Sequence, residues 1–572
     1  MLQNLHIAIF FCSFALLSIA IVMKLNNPLI SLIKESINKN KELFALSDFQ
    51  GANFQYRDVA RKITKLHLGF KRAGIQPGDK IAICGRNSAN WAIAFLSVLT
   101  YGAVAVPILH EFKPDNVHHL VNHCDARLLF VDSTIWNNLS PDSLPDIVGA
   151  VRLADFSLLF SRSEQLSNAR ANLNRLFGEQ YPERFVVEDL QYADPDPDNL
   201  AVINYTSGST GFSKGVMLSY TNLYSNIKFA RDHFPFLKTG DGHICMLPLA
   251  HMYGLCIEML FPFTVGAHIN FLTRTPSPRI IMEAFATVHP KVIITVPLII
   301  EKIIKTRVFP MLEKPWMRLL LKTPFINDRL LTKIKDRLIE TFGSNMFSIV
   351  IGGAGLNADV ETFLRRIHFP FTVGYGMTEC APLIAYAQWD VQRPGSCGKI
   401  VDRMEGVIDS PDPLNVPGVL RVRGDNMMLG YYKNPEATAS TIVDGWLITG
   451  DICQFDADGF LYIRGRDKNM ILGPSGQNIY PEEIEQKINN LPYVSESLVV
   501  ERDGRLVAIV HPDYDAARLE NLTDAQVSES IEKNVRELNP SLPAYSQIAF
   551  TKILVEEFEK TPKRSIKRYL YQ

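Results

Sequence analysis

Apolar positions along the chain fall into two patterns, short continuous runs and longer segments with helical spacing. The runs 80–85 ("KIAICG") and 127–132 ("RLLFVD") are partly β-branched, which predicts short buried strands. Beside them, segment 56–74 repeats apolar residues at helical spacing and ends in a glycine, as a helix does. Strands that alternate with helices are typical of an α/β architecture with parallel sheet.

The alternation continues in the second half of the chain and then changes character. Further strand-like runs lie at 243–248, 268–272, 291–297, 346–354 and 371–376. After 418 the pattern becomes rich in strands, and the composition changes again at 465–471. We therefore predict an α/β protein with a large, multi-subdomain N-terminal body (28–466). A small mobile α+β C-terminal domain (467–572) follows.

The N-terminal segment 5–23 carries no Asp, Glu, Lys or Arg. Nineteen residues at about 1.5 Å each span roughly 28 Å, close to the thickness of a bilayer core, which predicts a hydrophobic anchor within residues 1–27. Two alternatives remain open: translation that starts at Met23, and a signal peptide, which the lack of Lys and Arg in 1–4 disfavours. Downstream lysines favour a cytoplasmic location for the catalytic part of the chain, namely Lys24, Lys34, Lys39 and Lys41.

Charge and cysteine content exclude some classes of function. A formal net charge of −1 gives no reason to expect nucleic acid as a partner. The eight cysteines include no CxxC pair, which argues against a zinc site or a disulfide scaffold. Segment 301–340 stands out because it holds ten Lys/Arg against five Asp/Glu. We interpret it as a solvated helical face, with contact to a membrane surface as the alternative.

The stretch 205–215 ("YTSGSTGFSKG") follows a predicted strand and combines glycines, hydroxyls and one lysine. Accessible backbone N–H groups, hydroxyl donors and a lysine charge suit phosphate oxygens. A Walker loop has a glycine directly before its lysine, whereas Phe212 and Ser213 precede Lys214. The stretch thus favours phosphate binding of a non-Walker kind over a merely flexible polar loop.

Five stretches in order carry a resemblance to one family: 205–215, "YGMTE" (375–379), "GWLITGD" (445–451), "YIRGRDKNMI" (462–471) and "NIYPEEIE" (478–485). The chain from about 28 onward resembles the adenylate-forming (AMP-binding) superfamily. Within it, the chain looks most like long-chain fatty acyl-CoA synthetases. The resemblance implies that a carboxylic acid and ATP form acyl-AMP and pyrophosphate, and that a thiol, usually coenzyme A, then displaces AMP.

The resemblance also implies roles for individual residues. Asp451 and Arg466 would contact the ribose, and Glu379 would contact Mg²⁺ together with Thr206, both acting in catalysis. The phosphates would be held by Thr206, Ser207, Gly208, Ser209, Thr210, Gly211 and Lys214. The adenine would be bordered by Gly352, Gly353 and Ala354, with Tyr375 stacking on the base. Further ATP contacts would come from Gly376, Met377 and Thr378.

Other positions match the moving parts of the family. Lys468 sits at the hinge about which the small domain would rotate between the two steps. Gly476 would let the thiol pass, and His251 would act as a gate between the ATP site and the acyl tunnel. A fatty acid, ATP and coenzyme A are therefore the expected substrates, and the resemblance also allows a homodimer.

One departure from the family pattern lies near the C-terminus. Many members have a lysine there that reaches the reacting carboxylate during adenylation, and Ser565 occupies its place in "EKTPKRSIKR". Lys567 is the preferred substitute, with Lys563 next. Two alternatives to the long-chain ligase remain: a ligase of aryl or medium-chain acids or one that uses a carrier protein, and a membrane-tethered binding protein without turnover.

Overall fold

The computed structural model describes residues 26–206, 213–273, 278–323, 326–473, 477–561 and 565–572. The largest sheet in this part of the chain is mixed, with a parallel centre and antiparallel edges. Its strand order is Gly430–Tyr431, Lys214–Ser219, Leu200–Thr206, Val104–Ile108, Lys80–Cys84, Ala126–Val131, Gly149–Arg152 and Leu158–Ser161. The strands expected at 80–85 and 127–132 are confirmed at its centre.

Two further sheets of the body contain parallel strands. One has the order Gly242–Cys245, His268–Phe271, Phe44–Asp48 and Asn53–Gln55, of which only the last pair is antiparallel. The other is fully parallel and consists of Val292–Thr295, Ser348–Ile351 and Phe371–Val373. Parallel strands need crossover connections, and helices supply them. The larger helices of the body are Pro28–Lys39, Tyr56–Arg72, Ala89–Tyr101, Pro114–His123, Glu164–Ala171, Leu173–Gln180, Tyr220–His233, Pro278–Val288, Ile326–Thr341 and Ala358–Arg366.

Shorter helical segments complete the body. They are Ser133–Trp136, Gly254–Leu260, Phe261–Val265, Pro297–Ile303, Ile304–Val308, Phe309–Glu313, Pro315–Leu321 and Pro435–Thr441. The predicted helix at 56–74 ends at Arg72, because Ala73 and Gly74 cap it and Gly74 has a φ of 74°. The described residues of the basic segment 301–340, which exclude 324–325, are mostly helical, as the pattern indicated.

The strand-rich region forms antiparallel sheets beside these layers. Tyr375–Gly376, Leu383–Tyr386 and Lys399–Ile400 make a small one. A larger one contains Met404–Asp409, Gly418–Gly424, Ile442–Val443, Trp446–Phe455 and Leu461–Arg466. Its last strand ends at Arg466, where the sequence places the end of the body.

The C-terminal domain is α+β and has an apolar core of its own, centred on Ile488, Ala508 and Ile531. Its main sheet pairs Val494–Arg502 with Arg505–Pro512 and adds Ile548–Ile553 in parallel. A two-stranded sheet and three helices complete it: Ile471–Leu472, Asn478–Ile479, Pro481–Ile488, Tyr514–Leu519 and Asp524–Leu538. The fold class expected from the sequence is confirmed.

Segment 5–23, the predicted anchor, lies outside the described residues. Within the described part of the chain, no helix has the length and apolar character needed to cross a bilayer.

Candidate functional site

The phosphate-binding stretch lies on a hairpin of the largest sheet. Leu200–Thr206 leads into it and Lys214–Ser219 leads out, and Thr206 pairs with Lys214 in the antiparallel register. The Thr206 hydroxyl donates a hydrogen bond to the carbonyl oxygen of Lys214 at 3.4 Å. Residues Ser207, Gly208, Ser209, Thr210 and Gly211 lie outside the described residues. The structure therefore fixes the two ends of the loop, a threonine and a lysine side by side.

Tyr431 connects Lys214 with Glu379. Its ring centroid lies 4.7 Å from the Lys214 ammonium nitrogen, within reach of a cation–π interaction. Its hydroxyl donates to Glu379 Oε1 at 2.9 Å. Burial and the nearby Glu379 raise the pKa of Tyr431, so the phenol stays a neutral donor. A half-buried carboxylate thus lies beside the mouth of the phosphate hairpin.

A single carboxylate at this place fits Mg²⁺. This ion commonly takes one or two protein carboxylates and completes its shell with water and substrate phosphates. Within the described ranges, no group of three or more His, Cys, Asp or Glu side chains is arranged to hold a metal. The geometry is consistent with an ion that enters together with a nucleotide and contacts Glu379. The metal roles of Glu379 and Thr206 stay predictions.

Asp451, the predicted ribose contact, is buried, with 3% of its surface exposed. Oδ1 lies 2.7 Å from Arg466 Nε, and Oδ2 accepts a 2.5 Å hydrogen bond from the Tyr375 hydroxyl. Asp451 and Arg466 are partners in the register of two neighbouring strands, Trp446–Phe455 and Leu461–Arg466. The backbone pairing therefore sets the ion pair in place.

The electrostatics of this pair favour a strong acceptor. Burial raises the pKa of Asp451, while Arg466 and the Tyr375 hydroxyl act in the opposite direction. Burial and the adjacent Asp451 raise the pKa of Tyr375, so the phenol stays protonated and donates a hydrogen bond to Asp451. Each carboxylate oxygen has a second lone pair, so both can still accept a hydroxyl. Two adjacent ribose hydroxyls match that capacity.

Three glycines of the predicted ATP contacts have individual reasons to be glycines. Gly352 follows the strand Ser348–Ile351, and a Cβ there would lie 3.1 Å from the Tyr253 ring. Gly353 has a φ of 86°, which favours glycine. At Gly376 a Cβ would lie 2.1 Å from the carbonyl oxygen of Pro382. Ala354 directly follows Gly353 in the chain. Met377 and Thr378 follow Gly376 and are half-buried next to Glu379.

The "PLAHMYG" segment (248–254) reaches the same region from another layer. Tyr253 packs over Gly352 and donates to the Val350 carbonyl oxygen at 3.1 Å. His251 lies two residues earlier in a turn in which its N–H bonds to Pro248 O at 2.9 Å. Tyr253 therefore borders the end of the strand that precedes Gly352, and the gate role of His251 stays a prediction.

Sequence reasoning missed Glu258, a fully buried acid behind this segment. It accepts hydrogen bonds from Leu247 N at 2.8 Å and Met246 N at 3.4 Å. Burial raises its pKa to about 8, so the acid is protonated at neutral pH. It lies in the π-helical turn Gly254–Leu260, and such turns occur often at functional sites. The carboxyl group joins the two ends of segment 246–258, in which His251 and Tyr253 lie.

At the domain boundary, Lys468 lies in the single turn Asp467–Asn469 that follows Arg466. Desolvation and the neighbouring Arg466 and Arg568 lower its pKa. Gly476, the expected thiol passage, lies outside the described residues. The hinge and passage roles stay predictions.

The C-terminal tail is held by ion pairs within its own domain. Lys567 Nζ lies 3.1 Å from Glu559, and Arg568 binds the buried Glu485. Burial raises the pKa of Glu485 to about 7 despite the arginine. Lys563 lies outside the described residues, and Ser565 donates its N–H to the Thr561 hydroxyl at 3.3 Å. In this arrangement Lys567 has a carboxylate partner of its own, and its catalytic role stays a prediction.

Comparison with known proteins agrees with this geometry. The family model of the AMP-binding enzymes matches residues 33–432, and that of the AMP-binding enzyme C-terminal domain matches residues 468–571. The chain is 28% identical to the long-chain-fatty-acid–CoA ligase FadD15 of Mycobacterium bovis over 89% of both chains. It is also 28% identical to 4-coumarate–CoA ligase 2 of Nicotiana tabacum, over 79% of this chain and 78% of the relative.

A solved structure shows the same fold. ATP-bound MatB from Rhodopseudomonas palustris superimposes with a TM-score of 0.74 at 24% identity. The match covers 95% of this chain and 98% of that one.

Proposed function

Because this chain belongs to the AMP-binding enzyme family, we propose that it is an ATP-dependent acid–thiol ligase, specifically a long-chain fatty acid–CoA ligase. A carboxylate oxygen of the acid attacks the α-phosphorus of ATP, and the bond to pyrophosphate breaks. The sulfur of coenzyme A then attacks the acyl carbonyl carbon, and AMP leaves with the bonding electron pair. The products are acyl-CoA, AMP and pyrophosphate.

The observation that carries this proposal is the buried Asp451 carboxylate, which lies between the buried Tyr375 hydroxyl and the half-exposed Arg466 guanidinium. The carboxylate has lone pairs for two hydroxyls, and the charge of the nearby Glu379 acts on it. Tyr431 links Glu379 to Lys214, and this set of groups suits a nucleotide triphosphate. A binding site for phosphate alone would need no buried acid.

The other groups act on charge and position. The first step brings an anionic acid to an anionic phosphate, so fixed positive charge and donors stabilise its transition state. Lys214, held beside Tyr431, supplies one such charge. Mg²⁺, when bound, would neutralise phosphate charge next to Glu379. The thiolation step would use the other face of the small domain, which we expect to rotate about Lys468.

The preference for a long-chain acid is supported by the relatives that bear that name, FadD15 among them. An aromatic acid is the second candidate, because 4-coumarate–CoA ligase 2 matches the chain at the same identity. A carrier-protein thiol could replace coenzyme A in either case. A binding protein without turnover remains the third candidate, since Ser565 stands where the family pattern has a lysine.

The remaining parts of the proposal concern location. We propose that residues 5–23 anchor the chain in a membrane and that the catalytic domains face the cytoplasm. A homodimer is compatible with this arrangement.

The decisive test is pyrophosphate release from ATP with a panel of acids, each with and without coenzyme A. We expect release with long-chain fatty acids, and thioester only when coenzyme A is present. Release with cinnamic-type acids alone would make the second candidate correct. Nucleotide binding without release for any acid would leave only the binding protein.

A further inference from the structure

The helix Pro315–Leu321 presents two large apolar side chains to solvent. Trp316 is 55% exposed and Leu319 is 69% exposed. They are three residues apart, so they lie on the same side of the helix. Met317 points the other way and is buried, which holds the helix against the body. We call Trp316, Leu319, Lys314, Arg318 and Lys322 the tryptophan patch.

Exposed apolar residues are common one at a time, but this pair has a distinctive surrounding. Residues 314–323 contain three cations, Lys314, Arg318 and Lys322, and no acid. All three are exposed. Among the described residues, no salt bridge involves a residue between Lys291 and Arg337, so none involves these three cations. The nearest acid along the chain is the exposed Glu313, directly before Lys314, so the patch combines apolar anchors with a net positive charge.

That combination determines the kind of partner. A protein partner would need an apolar pocket of its own. A nucleic acid would contact the cations but would not bury an exposed leucine. An anionic bilayer satisfies both features at once, because tryptophan and leucine enter the interface while lysine and arginine contact headgroups.

We propose that the tryptophan patch docks onto the surface of an anionic lipid bilayer. This contact is distinct from segment 5–23, and it lies in the body that carries the candidate site. It does not depend on which acid the enzyme activates. A surface contact of this kind would orient the body relative to the bilayer, which an N-terminal anchor alone does not do.

The test uses the full-length protein with vesicles whose acyl chains carry bromine, which quenches tryptophan at the depth of the chains. The chain has five tryptophans, so the contribution of Trp316 is the emission difference between wild type and Trp316→Phe. Phenylalanine keeps the patch apolar. We expect vesicles that contain phosphatidylglycerol to quench roughly half or more of the Trp316 emission. Vesicles of phosphatidylcholine alone should quench much less.

Two charge variants separate docking from general attraction. Arg318→Gln/Lys322→Gln should lose most of the Trp316 quenching, since each removed charge weakens attraction about fivefold. Lys71→Gln/Arg72→Gln removes two exposed charges elsewhere and should leave quenching unchanged. Because quenching is read at residue 316 itself, attachment through residues 5–23 does not imitate the result.

Three outcomes would overturn the inference. If brominated lipid does not quench the emission of Trp316, the patch stays in water. Equal quenching by phosphatidylcholine alone, or unchanged quenching in Arg318→Gln/Lys322→Gln, would exclude an anionic surface as the partner. Emission of Trp316 that depends on protein concentration but not on lipid would instead assign the patch to a second copy of the chain.

Discussion

At the scale of single residues, the Asp451 carboxylate is a buried charge that two neighbours stabilise. Arg466 offsets the cost of burying it, and Tyr375 fixes its orientation. Neither neighbour fully occupies the carboxylate oxygens. The group therefore keeps lone pairs with which it can accept further hydrogen bonds.

Asp451→Asn should weaken ATP binding, because the ribose would lose a charge-assisted acceptor worth about 1.5–3 kcal/mol, a factor of roughly 10 to 100. Calorimetric titration with ATP measures this directly. Asp409→Asn is the matched control, since Asp409 also pairs with an arginine, Arg421, but on an exposed part of the same sheet. Equal ATP affinity in Asp451→Asn and wild type would remove Asp451 from the ribose site.

Glu258 makes the folding stability of the protein depend on pH. Its folded pKa is about 8, against an ordinary value of 4.5, so the native state binds one more proton than the unfolded state between these values. This group's contribution to stability is complete below pH 4.5 and is lost as the pH rises through 8. Glu258→Gln should remove that loss, at most about 1.4 kcal/mol per pH unit.

Urea unfolding of the body at pH 6 and pH 8 measures the effect. Wild type should lose more stability between these two values than Glu258→Gln does. Glu361→Gln is the control, because its carboxylate is paired with Arg365. Parallel pH dependences of wild type and Glu258→Gln would mean that Glu258 is ionised in the folded protein.

The residues of the site differ in how predictable they are. Thr206, Lys214, Glu379, Asp451 and Arg466 could be selected because each lies in a stretch that matches a family pattern. Tyr431 and Glu258 lie outside such stretches, and their importance depends on contacts across the fold: a ring placed between Lys214 and Glu379, and an acid enclosed in the core. Pattern and spacing contain no signal for either contact.

At the scale of elements, the central strands were predictable because buried parallel strands are continuous apolar runs. The two-residue strand Gly430–Tyr431 was not, because its partner defines it and not its own pattern. The run 371–376 was expected as one strand, whereas the structure divides it into Phe371–Val373 of a parallel sheet and Tyr375–Gly376 of an antiparallel one. The order of strands within the largest sheet was also beyond reach of the sequence.

The turn Asp467–Asn469 is where the chain passes from the body to the small domain. Lys468→Pro should leave acyl-AMP formation intact and reduce thioester formation, because proline fixes φ near −65° and would hold one domain orientation. Single-turnover assays of the two steps separate the effects, and Lys468→Ala serves as the mobile control. Equal loss of both steps in the proline variant would count against a hinge.

We expect a lysine of the C-terminal tail to supply the charge that Ser565 cannot. If Lys567 does so, Lys567→Ala should lower acyl-AMP formation at least about a hundredfold, roughly 2.7 kcal/mol of barrier, with little change in thiolation of added acyl-AMP. Glu559→Gln, which frees Lys567 from its ion pair, should not lower the rate. Loss in Lys563→Ala instead would transfer the role to Lys563, and loss in neither would exclude the tail.

At the scale of the whole molecule, the proposed anchor and the tryptophan patch predict two kinds of membrane attachment. Deleting residues 1–23 should retain ATP-dependent pyrophosphate release, because the site residues all lie downstream. The deletion should also convert salt-resistant attachment into attachment that salt releases. Fractionation of cell membranes before and after a high-salt wash measures both. Full-length protein that salt removes completely would argue against the anchor.

The pairing of Asp451 with Arg466 has a consequence for the order of events in a catalytic cycle. Arg466 ends its strand and is the last residue of the predicted body, so the proposed rotation, which begins at the next residue, would act on the side chain that we expect to contact the ribose. Coupling of this kind is reciprocal: if one domain orientation weakens the Arg466 contact, that orientation binds nucleotide less tightly, and bound nucleotide disfavours it to the same extent. The orientation that serves thiolation could thereby also prepare the release of AMP.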